Sequence, residues 1–272
     1  MATVATTINS PTLARPFGQT LTIYAKEIKF EFLTRLRLRA FSLSTIGFPV
    51  MFYVLFGLVL NGKEAAVNGT HFATYLIATF GTFGVMGASL FGTAAGLASE
   101  RGLGWLQVKR ASPMPPFAYF AAKVVMSMIF SAAVVLSLFA LGVTLGGVHL
   151  TAMQAMKLLG ILVLGSLPFC AMGLAIGYFA GPTSAAPIIQ LFYLPLSVCS
   201  GLWVPLMLLP KVLQELAHFL PPYHLAQLAL GVVGGGQPES AGSHWVVLIV
   251  FTLICLGVAR IGFQRDEGKT YG

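Results

Sequence analysis

The sequence predicts an all-α polytopic membrane protein. Six transmembrane helices are expected, with an amphipathic interfacial helix before them and re-entrant outer helices between spans 5 and 6. Three observations predict this. The composition is too apolar for a water-facing surface, the apolar residues fall into runs of membrane-spanning length, and the basic residues collect in alternate gaps between those runs. Of 272 residues, 57% are apolar and 9% charged, and the mean hydropathy is +0.85. Soluble domains carry roughly 25% charged residues, so this chain requires lipid as its solvent. The net charge of +8 does not point to nucleic acid, because the basic residues flank apolar runs instead of forming a patch.

Taken in order, residues 1–20 are rich in Thr, Pro and Ala and are expected to be a flexible N-terminus. Six basic and two acidic residues precede the first apolar run, which does not fit a cleavable signal peptide. Across residues 21–39, Leu21, Tyr24, Ile28, Phe32 and Leu36 recur at helical spacing, while Lys26, Glu27, Lys29, Glu31 and Arg37 lie mostly off that face. Such a helix lies in the membrane interface with its apolar face down. The spans are expected at residues 41–60, 72–98, 117–145, 155–180, 186–201 and 243–263, each near the length that covers a hydrocarbon core of about 30 Å. The second span carries a GxxxG pair, Gly92 and Gly96, a weak packing signal. Lys123, near the start of the third, is placed to snorkel to the aqueous surface.

Residues 202–238 are apolar but broken by Pro205, Pro210, Pro221 and Pro222. A proline inside a helix removes a hydrogen bond and clashes with the preceding turn, so short re-entrant helices fit better than a further crossing. With the N-terminus inside, thirteen Lys and Arg lie inside and three, Lys63, Lys157 and Lys211, outside. The positive-inside rule then places both termini in the cytoplasm. The five histidines fall at or near the outer face without metal-ligand spacing and read as interfacial residues. Cys170, Cys199 and Cys255 lie in apolar runs and read as small buried hydrophobes.

No catalytic constellation stands out, and no metal set. Gly262 to Thr270 imitates a P-loop, but five residues separate its glycines where the motif needs four. No ionisable residue sits mid-span to serve a proton relay. Energy for uphill transport therefore has to come from another chain. Glu100 and Arg101 form the densest charged site, in a loop spanning residues 99–116, and its ordinary reading is a solvated pair worth little.

Two stretches resemble the ABC-2 type transporter permeases, the membrane subunits of bacterial ABC exporters. One runs from Glu100-Arg101-Gly102 through Arg110-Ala111-Ser112-Pro113-Met114 to Lys123. The other is Ser200-Gly201-Leu202-Trp203-Val204-Pro205, then Pro210, then Leu220-Pro221-Pro222-Tyr223-His224. The basic residue that often follows the last motif is replaced here by Leu230-Gly231.

The resemblance implies a non-enzymatic permease subunit of an exporter in the bacterial inner membrane. It would move an amphipathic drug, antibiotic or lipid and work as a homodimer, or with a homologous permease, alongside a separate ATPase subunit. ATP and Mg would sit on that partner. The alternatives are a stand-alone secondary transporter, or a lipid-modifying enzyme built on His218, Glu215 or His224. The resemblance assigns ATPase coupling to Glu100, Arg101, Trp105, Leu106, Lys109 and Arg110, with Trp105 and Leu106 as the apolar contact. It gives the interfacial helix (Tyr24, Ile28, Phe32, Leu36) a grip on the ATPase. It makes Gly201, Pro205, Pro210, Pro221 and Pro222 an outer gate. Tyr53, Phe56, Phe80, Phe83 and Met86 are candidates for the substrate path; the ordinary alternative for each is packing or lipid contact.

Overall fold

The computed structural model describes residues 17–60, 66–67, 69–112, 114–237 and 240–267. The expected N-terminal stretch to residue 16, Lys63, Pro113, Pro238 and the end of the tail lie outside these, as does the side chain of Arg110.

Helix α1 (Phe17–Arg37) begins within the stretch expected to be flexible. Helix α2 (Arg39–Tyr53) contains Pro49 and continues as a wider π-helical segment, Val54–Leu60. A two-residue hairpin pairs β1 (Ala66–Val67) with β2 (Thr70–His71). Helix α3 (Phe72–Leu90) runs through a π segment, Phe91–Ala95, into α4 (Gly96–Gly102). Gly104, at φ 73°, turns the chain into α5 (Trp105–Ala111). Helix α6 (Pro116–Thr144) starts on a proline, whose missing N–H costs nothing in the first turn.

The fourth apolar run is split. Helix α7 (Ala152–Leu164) opens with a capping box between Thr151 and Gln154, and α8 (Leu167–Phe179) restarts with Pro168 in its first turn. Then follow α9 (Ala185–Cys199), α10 (Lys211–Ala217), α11 (Pro221–Val233) and α12 (Ala241–Glu267). Among the described residues five helical stretches are long and apolar enough to cross a membrane; α9, at 15 residues, is shorter.

Helix α3 is the axis of the bundle. All its residues are buried, although nothing in an evenly apolar helix selects a lipid-free face. Its small residues explain the position. A methyl on Gly84 would fall 2.5 Å from Val134 of α6 and 2.7 Å from Pro49 of α2. One on Gly81 would meet Leu162 of α7 at 2.9 Å, and one on Gly87 the Tyr193 hydroxyl of α9 at 2.8 Å. Without side chains at these points, four neighbours approach the α3 backbone closely. Its hydroxyls are satisfied internally: Thr82 donates to the Ala78 carbonyl at 2.9 Å and Ser89 to that of Val85 at 2.8 Å.

The second small-residue contact is Gly173 and Gly177 of α8, seated on the π segment and α4. A methyl on Gly173 would lie 1.9 Å from the Thr93 hydroxyl, and one on Gly177 would lie 3.0 Å from the Ala94 carbonyl. This GxxxG pair does the packing, whereas Gly92 and Gly96 face side chains, Met126 and Arg35 respectively.

The region after α9 forms short helices, each started by proline: Pro210 caps α10, and Pro221 and Pro222 open α11. Gly201, at φ 72°, makes the turn after α9. Helix α11 is not at the periphery. Leu225, Leu228 and Leu230 join the main core, and α11 packs against α3, α7 and α12. Two histidines read as interfacial are also internal. His224 and His244 are 6% and 3% exposed, with their Nδ1 atoms 2.8 Å apart. The His224 Nε2–H donates to the His218 carbonyl, so that in the neutral ring Nδ1 accepts from His244. Cys170 and Cys255 are buried as expected, and Cys199 is partly so.

Candidate functional site

Two features combine chemistry with position: a charged lock at the end of the bundle carrying α5, and an aromatic groove between α2, α3 and α9.

The lock centres on Lys123. It does not snorkel; it is wholly buried, with its ammonium 3.0 Å from Glu31 of α1 and 2.8 Å from Glu100 of α4. A lysine this deep needs carboxylates, because desolvating an unpaired ammonium is prohibitive. Lys109 of α5 reaches back to Glu27 at 2.5 Å and lies 3.9 Å from Glu100. Arg35 shares the Glu31 carboxylate at 3.4 Å. The Lys109 and Lys123 ammonium groups each stand 4.7 Å from the centre of the Tyr119 ring. Burial pushes the Glu31 carboxyl up, but the Lys123 and Arg35 charges outweigh it and hold it below its ordinary value. Three carboxylates and three cations thus bind α1, α4, α5 and α6 into one body.

Glu100 and Arg101, adjacent in sequence, serve different elements. The Arg101 guanidinium bonds Asp266 of α12 at 2.9 and 3.1 Å and the Gly177 carbonyl at 2.9 Å. It therefore ties α4 to the end of α8 and to the tail that imitates a P-loop. The pair is no solvated loop contact.

Helix α5 and the turn before it present an apolar outer face: Leu103, in the turn, is 71% exposed, and Trp105 and Val108 of α5 are 55% and 60% exposed. Leu106 points the other way, packed with Leu97, Tyr119 and Leu174, so it does not belong to the outward contact. Successive helical residues point about 100° apart, so Leu106 can turn inward while Trp105 and Val108 stay outside. Lys109 is likewise turned inward, to Glu27.

On α1 the apolar spacing also misleads. Leu21 and Leu36 are exposed, while Glu31 and Arg35 are buried. Phe32 does pack inward, 5.7 Å from the Phe130 ring, and Tyr24 and Ile28 are half-buried. The charged side of α1 faces the protein because α6 offers it Lys123.

The groove has a volume of about 460 Å³. Phe41, Phe48, Phe52, Phe83, Phe91, Tyr193 and Trp203 supply its aromatic walls. Phe52 and Trp203 meet at 4.5 Å between rings, and Phe83 and Tyr193 at 4.7 Å. The Tyr193 hydroxyl donates to the Phe83 carbonyl at 3.1 Å, which fixes α9 on α3. Of the five candidate path residues, Phe83 alone lines the groove. Tyr53, Phe80 and Met86 are fully buried in the core, and Phe56 stacks on Phe80 at 6.1 Å. Sequence reasoning missed Phe52, Tyr193 and Trp203. Trp203 lies within the Gly201–Pro205 motif and carried the strongest signal, since an indole beside a helix-ending turn must be held by its neighbours; it donates to the Ser197 hydroxyl at 3.1 Å.

Several apolar helices around a buried axis, five of them among the described residues long enough to cross a membrane, define a multi-pass α-helical membrane protein. The ABC-2 type transporter family matches residues 25–233, and the chain belongs to that family. It is also similar to a Bacillus subtilis (strain 168) protein described as "Putative transport permease YvfS". The two are 26% identical over 232 residues, covering 85% of this chain and 93% of the relative.

Proposed function

We propose that this permease is the membrane subunit of an ABC exporter, driven by a separate ATPase that holds ATP and Mg. The observation that carries the proposal is the outward apolar face of α5 on a helix locked to the rest of the bundle. Trp105 and Val108, with Leu103 in the turn before them, are more than half exposed, yet Lys109, Glu100 and Lys123 join α5 to α1 and α6. A surface of this kind transmits force: a partner that moves α5 moves α1, α4 and α6 with it.

The reading includes six crossings with both termini in the cytoplasm. The Arg101–Asp266 bridge brings the end of α12 beside α4. Helix α9 starts at that same end, where Ala185 packs with Ala98 and Ala180. Helix α12 starts at the opposite end, beside His224. In this reading the chain traverses the bundle between them, and α9 with the turn after it makes that passage. At 1.5 Å per residue it spans about 22 Å, so the Ser200–Leu209 stretch completes the thickness. The proline-started helices that follow close the outer side.

The substrate path is the groove on α2, α3 and α9, and the cargo is amphipathic. Leu43 and Met51 of α2 and Leu191 and Val198 of α9 are exposed beside it. A second copy of the chain seated on that face would cover the groove and put it at a dimer interface in the bacterial inner membrane.

The test is capture of the partner ATPase by purified chain. Trp105→Ala with Val108→Ala should reduce capture at least tenfold, in line with loss of an aromatic anchor. Undiminished capture and undiminished export by this double variant would remove α5 from the coupling role.

A further inference from the structure

The groove is apolar along its length but not at its end. Arg35 lines it, and among the described residues it is the one charged side chain that does. The same arginine also lines the cleft beside α5, together with Glu31, Glu100 and Lys109, so it stands where the groove opens at the lock. Its charge is weakly answered. Nε and Nη2 both turn to a single oxygen of Glu31 at 3.4 Å, and that oxygen also accepts from Lys123 at the shorter distance of 3.0 Å. The guanidinium carbon also lies over the Phe41 ring, 5.9 Å from its centre, a cation–π contact that leaves its N–H donors unused. Gly96 makes room: a methyl there would come within 1.7 Å of Nη2.

We infer that the groove selects amphiphiles with an anionic phosphate or carboxylate headgroup, which docks on Arg35 while the apolar body lies along Phe52, Phe83 and Trp203. This rests on the reading of the groove as the substrate path. The chemistry favours one sign. A guanidinium has five N–H donors in a planar fork, and Glu31 takes two of them, so a second oxyanion can be met by the remaining edge. Such charge-assisted bonds are stronger away from bulk water. A cationic headgroup at the same place would face Arg35 with no carboxylate from the groove wall to offset it. The neutral polar groups along the wall, Ser44, Thr45 and Gln190, suit either sign and decide nothing.

The chain's three tryptophans allow a local readout. With Trp105→Phe and Trp245→Phe in place, Trp203 fluorescence reports the groove alone. The protein is placed in phosphatidylcholine nanodiscs and titrated with dodecyl phosphate, dodecylphosphocholine and dodecyltrimethylammonium. Dodecyl phosphate should bind at least about tenfold tighter than the cationic probe, with the zwitterion between them. Arg35→Gln should abolish that preference, and Arg35→Lys, which keeps the charge but loses the fork, should retain part of it. Phosphatidic acid doped into the disc displaces dodecyl phosphate if the membrane is the source of the ligand. If it does not, a soluble amphiphile is the source, and the headgroup inference stands in both cases. Equal or tighter binding of the cation, or an anion preference unchanged in Arg35→Gln, overturns the inference. The headgroup series on unmodified Arg35 holds even if the Gln variant fails to fold. ATP-driven transport by the chain with all three tryptophans in place, in proteoliposomes with the ATPase added, separates the two readings. Transport without anion preference refutes this inference alone. Anion preference without any ATPase-dependent transport refutes the permease mechanism instead.

Discussion

Lys123→Met isolates the charge of the lock, because methionine resembles the lysine stem in volume. The ammonium it removes lies 3.0 Å from Glu31 and 2.8 Å from Glu100, whose side chains are 6% and 20% exposed. Removing one partner of a buried ion pair costs about 3–5 kcal/mol, since the other charge is stranded. Glu31 retains Arg35 at 3.4 Å and Glu100 retains Lys109 at 3.9 Å, which places the expected loss at the lower end. About 3 kcal/mol, at roughly 2–4 °C each for a chain of this size, lowers the melting temperature by about 6–12 °C at neutral pH. The pH dependence has a definite sign. The folded pKa of wild-type Glu31 is held below its ordinary value of 4.5. Its ionised form therefore contributes stability that is complete above that value and is lost as pH falls through the folded pKa. Without Lys123 burial dominates, the carboxyl rises, and protonation relieves the stranded charge. The gap between wild type and variant should narrow on acidification. Tryptophan-monitored melting in detergent from about pH 8 down to about pH 4 reads this directly. A loss below about 1 kcal/mol at neutral pH, or a gap that widens in acid, would refute the lock as an energetic unit.

Leu106→Ala, in contrast to changes at Trp105, should act on stability and not on partner binding. Truncating a buried leucine costs about 2–5 kcal/mol, and melting with ATPase capture measured side by side distinguishes the two effects. Gly173→Val drives a side chain into Thr93 and should lower stability by about 1–3 kcal/mol, read as the yield of monodisperse protein and its melting point. Trp203→Ala removes the ring that meets Phe52 at 4.5 Å; apparent affinity for amphiphiles should fall about tenfold while ATPase capture stays unchanged, as measured by transport titration.

The all-α, multi-pass character was legible because apolar runs are local signals. The position of the short helices between α9 and α12 followed from Pro205, Pro210, Pro221 and Pro222 alone. What the sequence could not carry was facing. Helix α3 is apolar all round, so its period does not say that Phe83 reaches the groove while Phe80 and Met86 turn to the core. Glu31 and Lys123 are 92 residues apart, and their pairing depends on α1 lying along α6. A clue was present in the acids of α1 and the single lysine of an otherwise apolar span, two features that lipid tolerates only together. Leu106 was misplaced because a seven-residue helix gives too little periodicity to fix its inner side.

In the proposed mechanism, energy enters through α5 from a separate ATPase. The most direct measurement is ATP-dependent accumulation of an amphiphile in proteoliposomes holding the purified chain with and without that ATPase. Accumulation should require both the ATPase and ATP, and should fall to background with Trp105→Ala and Val108→Ala. Full accumulation by the permease alone, or by the α5 variant with the ATPase present, would contradict it.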